Sequence, residues 1–253
     1  MLRRFCVMLS VVIIAGGCKT YQVPKFQFAS DTRVGIINHL ESYATHQNFQ
    51  PIRIGNFTKK VNVDWNMPDY VQDQVTRVLK SDSRYTVVSL KQQEPSGVLM
   101  QFAGPLTTAS ILDQETKPGE INPELARHLD ALAHKNNLDV IIWIRSFKGP
   151  SPFKISKHPI ELQGYGLFTR ELVMSKRAYA YANIDVVVLK TPPATYIGSG
   201  TPKIASSPQK DFELSGDLKN IAQSEFSKLK PIIQKYADDA ITMALENANL
   251  ILP

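Results

Sequence analysis

Histidine side chains are the first candidates for chemistry in this 253-residue sequence, because they bind metals and transfer protons near neutral pH. There are five of them: His39, His46, His128, His134 and His158. The sequence contains no His-Glu-x-x-His pair, and the spacing of His128 and His134 would place them on opposite sides of a helix. We therefore predict no metal site, although a carboxylate–histidine site assembled from distant residues stays open.

The glycine-rich stretches do not match the motifs that position a nucleophile or a phosphate. Gly198-Ser199-Gly200 lacks the outer glycines of a Gly-x-Ser-x-Gly nucleophile elbow, because its neighbours are Ile197 and Thr201. Gly164-Tyr165-Gly166 lacks the third glycine of a dinucleotide-binding loop and follows a proline-rich stretch. Both stretches are better explained as turns.

Two pairs of carboxylates lie close together in the sequence, Asp238 with Asp239 and Asp211 with Glu213. Adjacent residues on a helix point about 100° apart, which suits solvation better than a shared proton. We therefore predict no catalytic residues, no enzyme activity and no cofactor. A hydrolase whose acid and base come from separate loops is the alternative that spacing alone leaves open.

The two cysteines are Cys6 and Cys18, so the chain after residue 18 has no thiol. Thiolate zinc sites and thiol catalysis are therefore excluded for the rest of the sequence. An exported protein in an oxidising compartment uses cysteines in pairs or avoids them, and this chain avoids them apart from Cys18.

The first 17 residues have the pattern of an export signal. Arg3 and Arg4 supply a positively charged start, and residues 5–17 carry no charge. A membrane-spanning helix needs about 20 apolar residues, so the uncharged run is closer to a signal core of ~7–15 residues. The alternative is a retained anchor helix.

A cysteine follows small residues at the end of this run, in the sequence Ala15-Gly16-Gly17-Cys18. These residues resemble the lipobox of bacterial lipoproteins. The resemblance implies a signal peptide over residues 1–17 and a palmitate-bearing Cys18 that attaches the mature chain to a membrane. Lys19 stands where an inner-membrane retention signal would have Asp, which implies the outer membrane and its periplasmic face. A plain cleaved signal with an incidental cysteine is the alternative.

The composition is that of an ordinary globular chain, with 43% hydrophobic and 21% charged residues. Lysine and arginine together number 29 against 23 aspartate and glutamate, a net charge of +6. No run of five basic residues occurs in the sequence. The charge therefore gives no reason to expect nucleic-acid binding.

Hydrophobic periodicity predicts a single α/β domain over residues 34–253, joined to the cysteine by a tether over residues 18–33. Apolar residues at helical spacing predict helices over 68–79, from Asn122-Pro123 to Asn136-Asn137, and through 233–245. Strands are expected at 34–37, 52–57, 61–65, 85–90, 98–103, 140–144, 167–174 and 178–189. The 140–144 run is apolar throughout, which favours a central strand covered on both faces.

Two tyrosines, Tyr179 and Tyr181, lie opposite the alanine-rich side of the expected strand over 178–189. If the alanines face the covering helices, these tyrosines form a possible partner surface, because tyrosine is favoured at interfaces. The alternative is that both faces are buried and the tyrosines are packing residues.

The order of the elements resembles a family of exported bacterial lipoproteins, over residues 33–250. The resemblance rests on the opening strand at Val34, the helix at 68–79, Leu138-Asp139-Val140-Ile141-Ile142 and the strand over 183–189 before Tyr196-Ile197-Gly198. The family shares the α/β domain of the curli-secretion lipoprotein, the TolB amino-terminal domain and the lipoprotein activators of penicillin-binding proteins. It implies an α/β sandwich, with one mixed sheet and helices packed on it. It also implies a non-enzymatic interaction or accessory module that binds an envelope protein or itself.

The secretion-pore members of this family insert hairpins into the outer membrane. A subunit of an oligomeric secretion pore is therefore an alternative, with the 148–174 stretch as the candidate hairpin; an envelope hydrolase is a further one. Lys157, Glu161 and Arg170 in this stretch oppose a bilayer-facing strand of about 10 residues.

Overall fold

The computed structural model describes residues 25–50, 55–90, 121–150, 161–172, 175–201 and 218–252. Its strands are β1 (Thr32–His39), β2 (Tyr43–Phe49), β3 (Phe57–Asn62), β4 (Tyr85–Ser89), β5 (Val140–Ser146), β6 (Lys148–Pro150), β7 (Glu161–Gln163), β8 (Tyr165–Leu172), β9 (Ser175–Ala182), β10 (Ile184–Lys190) and β11 (Thr195–Gly200). Its helices are α1 (Met67–Lys80), α2 (Pro123–Asn136), α3 (Gln223–Ser227) and α4 (Lys230–Asn247), with a 3₁₀ turn at Leu218–Asn220. The expected strand at 98–103 lies outside the described residues.

The first sheet has five strands in the order β11-β10-β5-β1-β4. Strands β4, β1 and β5 are parallel, whereas β10 runs antiparallel to β5 and β11 antiparallel to β10. Residues Val140 to Ile144 of β5 are fully buried, because helices cover both faces of the sheet. The predicted central strand is therefore confirmed.

Helices α1 and α4 pack on one face of this sheet, and α2 packs on the other. The apolar stripe of α1, which includes Val71, Val75 and Leu79, is buried as its spacing predicts. The side chain of Asn122 accepts hydrogen bonds from the first backbone amides of α2, beside Pro123. The predicted start of this helix is therefore confirmed.

The second sheet has four strands in the order β3-β2-β8-β9, with β2 and β8 parallel. A third, two-stranded pairing joins β6 and β7. The expectation of a single mixed sheet is therefore wrong, whereas the mixed α/β class is confirmed. The sheets separate because the chain bends twice, over residues 40–42 between β1 and β2 and at Asn183 between β9 and β10.

The bend at Asn183 divides the strand that was expected to run over 178–189. The backbone amide of Asn183 donates to the carbonyl of Gly164, and its carbonyl accepts from the amide of Phe147. Its buried side-chain amide donates to the carbonyl of Leu162. These contacts replace the ladder bonds that a continuous strand would have made.

The folded body begins before residue 34, where the expected tether would have ended. Strand β1 begins at Thr32, and the side chains of Phe26 and Phe28 pack against the main core. The folded body therefore includes part of the segment over residues 18–33, because Phe26 and Phe28 bury apolar surface on the core.

Helix α4 approaches the first sheet closely where β11 has glycine in place of a side chain. A Cβ atom at Gly200 would lie 1.9 Å from the carbonyl oxygen of Ala240, and one at Gly198 would lie 2.8 Å from the amide nitrogen of Ala248. The same helix also packs on β9, whose inward residues are Ala178, Ala180 and Ala182. Small residues on three elements therefore let one helix cover both sheets.

We expect Gly200→Ala to lower the free energy of unfolding by about 3 kcal/mol, because the added methyl group meets helix backbone that cannot rotate away. Gly35→Ala is the matched control, since a Cβ there meets the side-chain end of Leu138. Its cost should be about 1 kcal/mol. Urea unfolding followed by the fluorescence of the buried Trp65 and Trp143 measures both. Equal losses in the two variants would contradict the close packing of α4.

Candidate functional site

The two residues that carry the lipoprotein prediction, Cys18 and Lys19, lie outside the described residues. Their proposed roles in lipidation and sorting therefore stay predictions from the sequence. The nearest described residues are Lys25 and Phe26, whose positions fix where the preceding segment meets the body.

Tyr179 and Tyr181 are not on the surface: 3% and 0% of their areas are exposed. Their rings join Leu162 and Phe168 in a small buried cluster on the outer face of the second sheet. The hydroxyl of Tyr181 donates to the carbonyl of Gln163, 3.1 Å away. This placement corrects the expectation of a partner surface at the two tyrosines, and their alternative role in packing is the one that the structure has.

The described histidines are spread over the fold. His39 lies on β1, His46 on β2, and His128 and His134 on α2, while His158 lies outside the described residues. Within the described ranges, no three His, Cys, Asp or Glu side chains are grouped so that they could hold a metal ion.

The adjacent carboxylates Asp238 and Asp239 have different partners. The hydroxyl of Tyr70 donates to Asp238 at 2.9 Å, and Lys235 forms an ion pair with Asp239 at 2.9 Å. Burial and the hydrogen bond to Asp238 raise the pKa of Tyr70 to about 12. Asp238 therefore links α4 to α1, whereas Asp239 forms an exposed ion pair within α4. The other carboxylate pair, Asp211 with Glu213, lies outside the described residues.

The two glycine stretches were expected to be turns, but Gly198 to Gly200 lie in β11, and Gly166 lies in β8. On β11, the hydroxyl groups of Ser199 and Tyr196 are hydrogen-bonded at 2.8 Å. Gly166 lies against the backbone of Thr45 on β2, where a Cβ would come within 2.1 Å of the Thr45 carbonyl oxygen. Neither stretch is arranged as a nucleophile elbow or a phosphate loop.

Part of the candidate membrane hairpin at 148–174 is described, and it lies inside the body. Strand β8 is an inner strand of the second sheet, between β2 and β9. Its residues Leu167 and Phe168 are fully buried. Residues 151–160 of the candidate hairpin lie outside the described ranges.

A buried ion pair that the sequence analysis missed joins β5 to β10. The guanidinium of Arg145 donates to the carboxylate of Asp185 through Nη2 at 2.9 Å and Nε at 3.2 Å. The two residues are also partners in the strand register, and neither side chain is exposed. The sequence does show one charged residue in each of two apolar strands. It does not show that Arg145 and Asp185, 40 positions apart, are paired.

Three further side chains extend this pair into a row across the first sheet. His39 is the register partner of Arg145 on the opposite side, and its Nδ1 accepts a hydrogen bond from the indole of Trp143 at 3.0 Å. The Arg145 guanidinium lies 5.2 Å from the centre of the Trp143 ring. Thr201 donates to the second carboxylate oxygen of Asp185 at 3.4 Å. The charges of this row, on Arg145 and Asp185, contact each other directly. Such a contact is suited to holding β10 in register with β5.

A second buried polar cluster surrounds His46 in the second sheet. The Nε2 atom of His46 is 2.9 Å from the hydroxyl of Thr169, which donates in turn to the amide oxygen of Asn48 at 2.8 Å. The His46 ring packs edge-on against Phe57 at 4.9 Å. Burial, and to a smaller extent the charge of Lys59, lower the pKa of His46 to about 4. The imidazole is therefore neutral at physiological pH.

The first sheet has one end, here called the basal end, at which β1, β4 and β5 begin and β10 ends. A cleft of about 570 Å³ opens there between the segment over residues 25–28, Arg84 and Asn249. The ammonium of Lys190 lies 5.4 Å from the centre of the Phe26 ring. A smaller cleft of about 370 Å³ lies at the other end of the molecule, lined by residues of β2, β3, β7 and β8.

Comparison with known proteins found no protein family, no curated protein and no solved structure that matches the chain. No similarity to the TolB amino-terminal domain is therefore shown. Among the described residues, no helix combines the length and the apolar character that a membrane span requires.

We expect Arg145→Met to lower the free energy of unfolding by about 3–5 kcal/mol, because it leaves the Asp185 carboxylate buried without its cation. The control is the double variant Arg145→Met/Asp185→Leu, which removes both charges and should recover most of that loss. Urea unfolding of the single and double variants measures the difference. A double variant as unstable as the sum of its two single variants would contradict the assignment of the pair.

His46 should make the protein less stable in mild acid. Its pKa in the folded state lies below the value of 6.5 for the unfolded chain, so its contribution is complete above pH 6.5 and is lost as the pH falls towards 4. The loss from His46 alone should reach about 3 kcal/mol at pH 4. Urea unfolding of wild type and His46→Gln between pH 7 and pH 4 measures this loss. The difference between the two proteins isolates the contribution of His46, because the other titratable groups are the same in both. Parallel curves would contradict the buried neutral imidazole.

Proposed function

We propose that the chain is a lipid-anchored lipoprotein of the outer membrane, with its body on the periplasmic face. The observation that carries the proposal is the uncharged run of residues 5–17 that ends in Ala15-Gly16-Gly17-Cys18. Lys19, immediately after the cysteine, supports sorting to the outer membrane. The thiol of Cys18 would carry the lipid, and a plain cleaved signal would leave that thiol unmodified.

The start of the folded body supports an anchor near residue 18. Phe26 and Phe28 pack against the core at the basal end, and β1 begins at Thr32. Only six residues, 19–24, separate Cys18 from the first described residue. An anchor at Cys18 would therefore place the body directly beside the bilayer.

We further propose that the body is a non-enzymatic interaction or accessory module for an envelope assembly. The support is that three titratable groups in the interior of the described structure have structural partners. Arg145 pairs with Asp185, Tyr70 donates to Asp238, and His46 is hydrogen-bonded within the second sheet. The partner, an envelope protein or a second copy of the chain, would meet a surface other than Tyr179 and Tyr181, since both are buried.

The experiment for the anchor is labelling with radioactive palmitate in growing cells. Wild type should incorporate label, and Cys18→Ala should incorporate none, because no other residue in the proposed mature chain is a cysteine. Cys6→Ala is the matched control and should label like wild type, since Cys6 lies inside the proposed signal peptide. Equal labelling of wild type and Cys18→Ala would overturn the proposal.

Density-gradient separation of membranes from the same cells tests the location. Wild-type label should be recovered in the outer-membrane fraction. Lys19→Asp, which introduces the retention signal, should move the label to the inner membrane. Label in the inner membrane for both chains would leave the anchor standing and overturn the outer-membrane assignment.

A further inference from the structure

The basal end of the body brings together the start of the described chain and its last residues. The hydroxyl of Tyr85, the first residue of β4, donates to the carbonyl of Leu250 at 2.8 Å. The backbone amide of Asp31 donates to the carbonyl of Arg84 at 3.2 Å. The segment that precedes β1 and the segment that follows α4 therefore lie side by side at this end.

Basic side chains outnumber acidic ones at the basal end. The basic residues there are Lys25, Arg33, Lys80, Arg84, Lys135 and Lys190, and the acidic ones are Asp31, Asp82, Asp139 and Glu246. Lys25, Lys80 and Lys135 are exposed, as are Asp31 and Asp139. Arg84 forms an ion pair with Asp82 at 2.6 Å. The six basic and four acidic residues together leave this end with a net positive charge.

An apolar side chain stands at the same end. Leu252 is 88% exposed, and it is the large hydrophobic residue that the described part of the chain leaves in solvent. It follows Leu250, whose carbonyl is held by Tyr85 at the basal end. Phe26 and Phe28 line the adjacent cleft together with Lys25 and Arg84. Leu252 is the exposed residue here, whereas Phe26 and Phe28 are half-buried. An exposed apolar side chain near cations is suited to the boundary between lipid headgroups and acyl chains.

We propose that the basal end is a contact surface for an anionic lipid bilayer. The inference rests on the proposed function, because the short segment from Cys18 to Lys25 determines which end of the body meets the membrane. Seven residue steps span at most about 25 Å when fully extended. With the lipid on Cys18, this end faces the bilayer, where its lysines meet lipid phosphates and Leu252 enters the interface. The cleft beside Lys25 and Arg84 is wide enough for a headgroup phosphate.

Vesicle co-sedimentation of the unlipidated chain tests this surface independently of the anchor. The protein is the chain over residues 18–253 with Cys18→Ser, so that no acyl group contributes to binding. It should bind vesicles that contain 30% phosphatidylglycerol and not vesicles of phosphatidylcholine alone. Raising the salt concentration to about 0.5 M should release it, because exposed charges are then screened within a few ångströms.

Two variants locate the contact on the body. Lys25→Gln/Lys80→Gln removes two exposed basal cations and should weaken binding about 25-fold, at about fivefold for each. Lys176→Gln/Arg177→Gln is the matched control, since these exposed residues begin β9 at the opposite end and lose the same charge. The control should bind within about twofold of the parent chain. Circular dichroism checks that both variants are folded.

The outcomes separate this inference from the anchor. Equal binding to neutral and anionic vesicles, or equal weakening by the two variants, would overturn the basal contact even if Cys18 labels with palmitate. Absence of palmitate label with intact vesicle binding would overturn the anchor alone. Binding to soluble polyglutamate as strong as binding to vesicles would overturn the lipid assignment and indicate an acidic protein partner.

Discussion

Helix α4 packs on both sheets, and its backbone approaches β11 more closely than a side chain at Gly198 or Gly200 would allow. One helix can cover two sheets only where side chains are small, and this chain places Gly198 and Gly200 on β11 and a row of alanines on β9. The alanines of α4 itself, including Ala240 and Ala244, face the same contact. The resulting core runs continuously from the first sheet into the second. Without that contact, the alanines of β9 would lose the helix that covers them.

Where the chain bends from a strand of one sheet into a strand of the other, the polar backbone groups at the bend must find hydrogen-bond partners. At Asn183 the bend is closed by hydrogen bonds to Phe147, Gly164 and Leu162. Phe147 lies between β5 and β6, Gly164 between β7 and β8, and Leu162 in β7. At the other bend, the hydroxyl of Ser146 donates to the carboxylate of Glu41. The buried Arg145–Asp185 pair lies beside these bonds and fixes the register of β10 on β5. Polar groups therefore cluster at this junction for a structural reason, and their burial alone does not indicate catalysis.

The sequence predicted those features that depend on neighbouring residues. The stripe on α1, the Asn122 cap of α2 and the apolar run of β5 all follow from local spacing, and each is confirmed. It did not predict the division into two sheets, because inward and outward residues alternate across Asn183 without interruption. The sequence also did not predict the burial of Tyr179, because Leu162 and Phe168, which pack around it, belong to other strands.

Long-range strand pairing also determines which cations are buried and which lie at the surface, a difference that the sequence pattern does not show. Arg145 and Lys190 are both cations in or at the end of apolar strands, yet one lies in the interior against Asp185 and the other lies at the basal end beside Phe26. The difference follows from strand direction: β5 carries its arginine away from the basal end, whereas β10 returns the chain to it. Strand β11 leaves the basal end again, and α4 then brings Leu250 back to it, next to the segment that precedes β1. In the proposed orientation, the first and last described residues lie nearest the membrane, and the second sheet lies furthest from it.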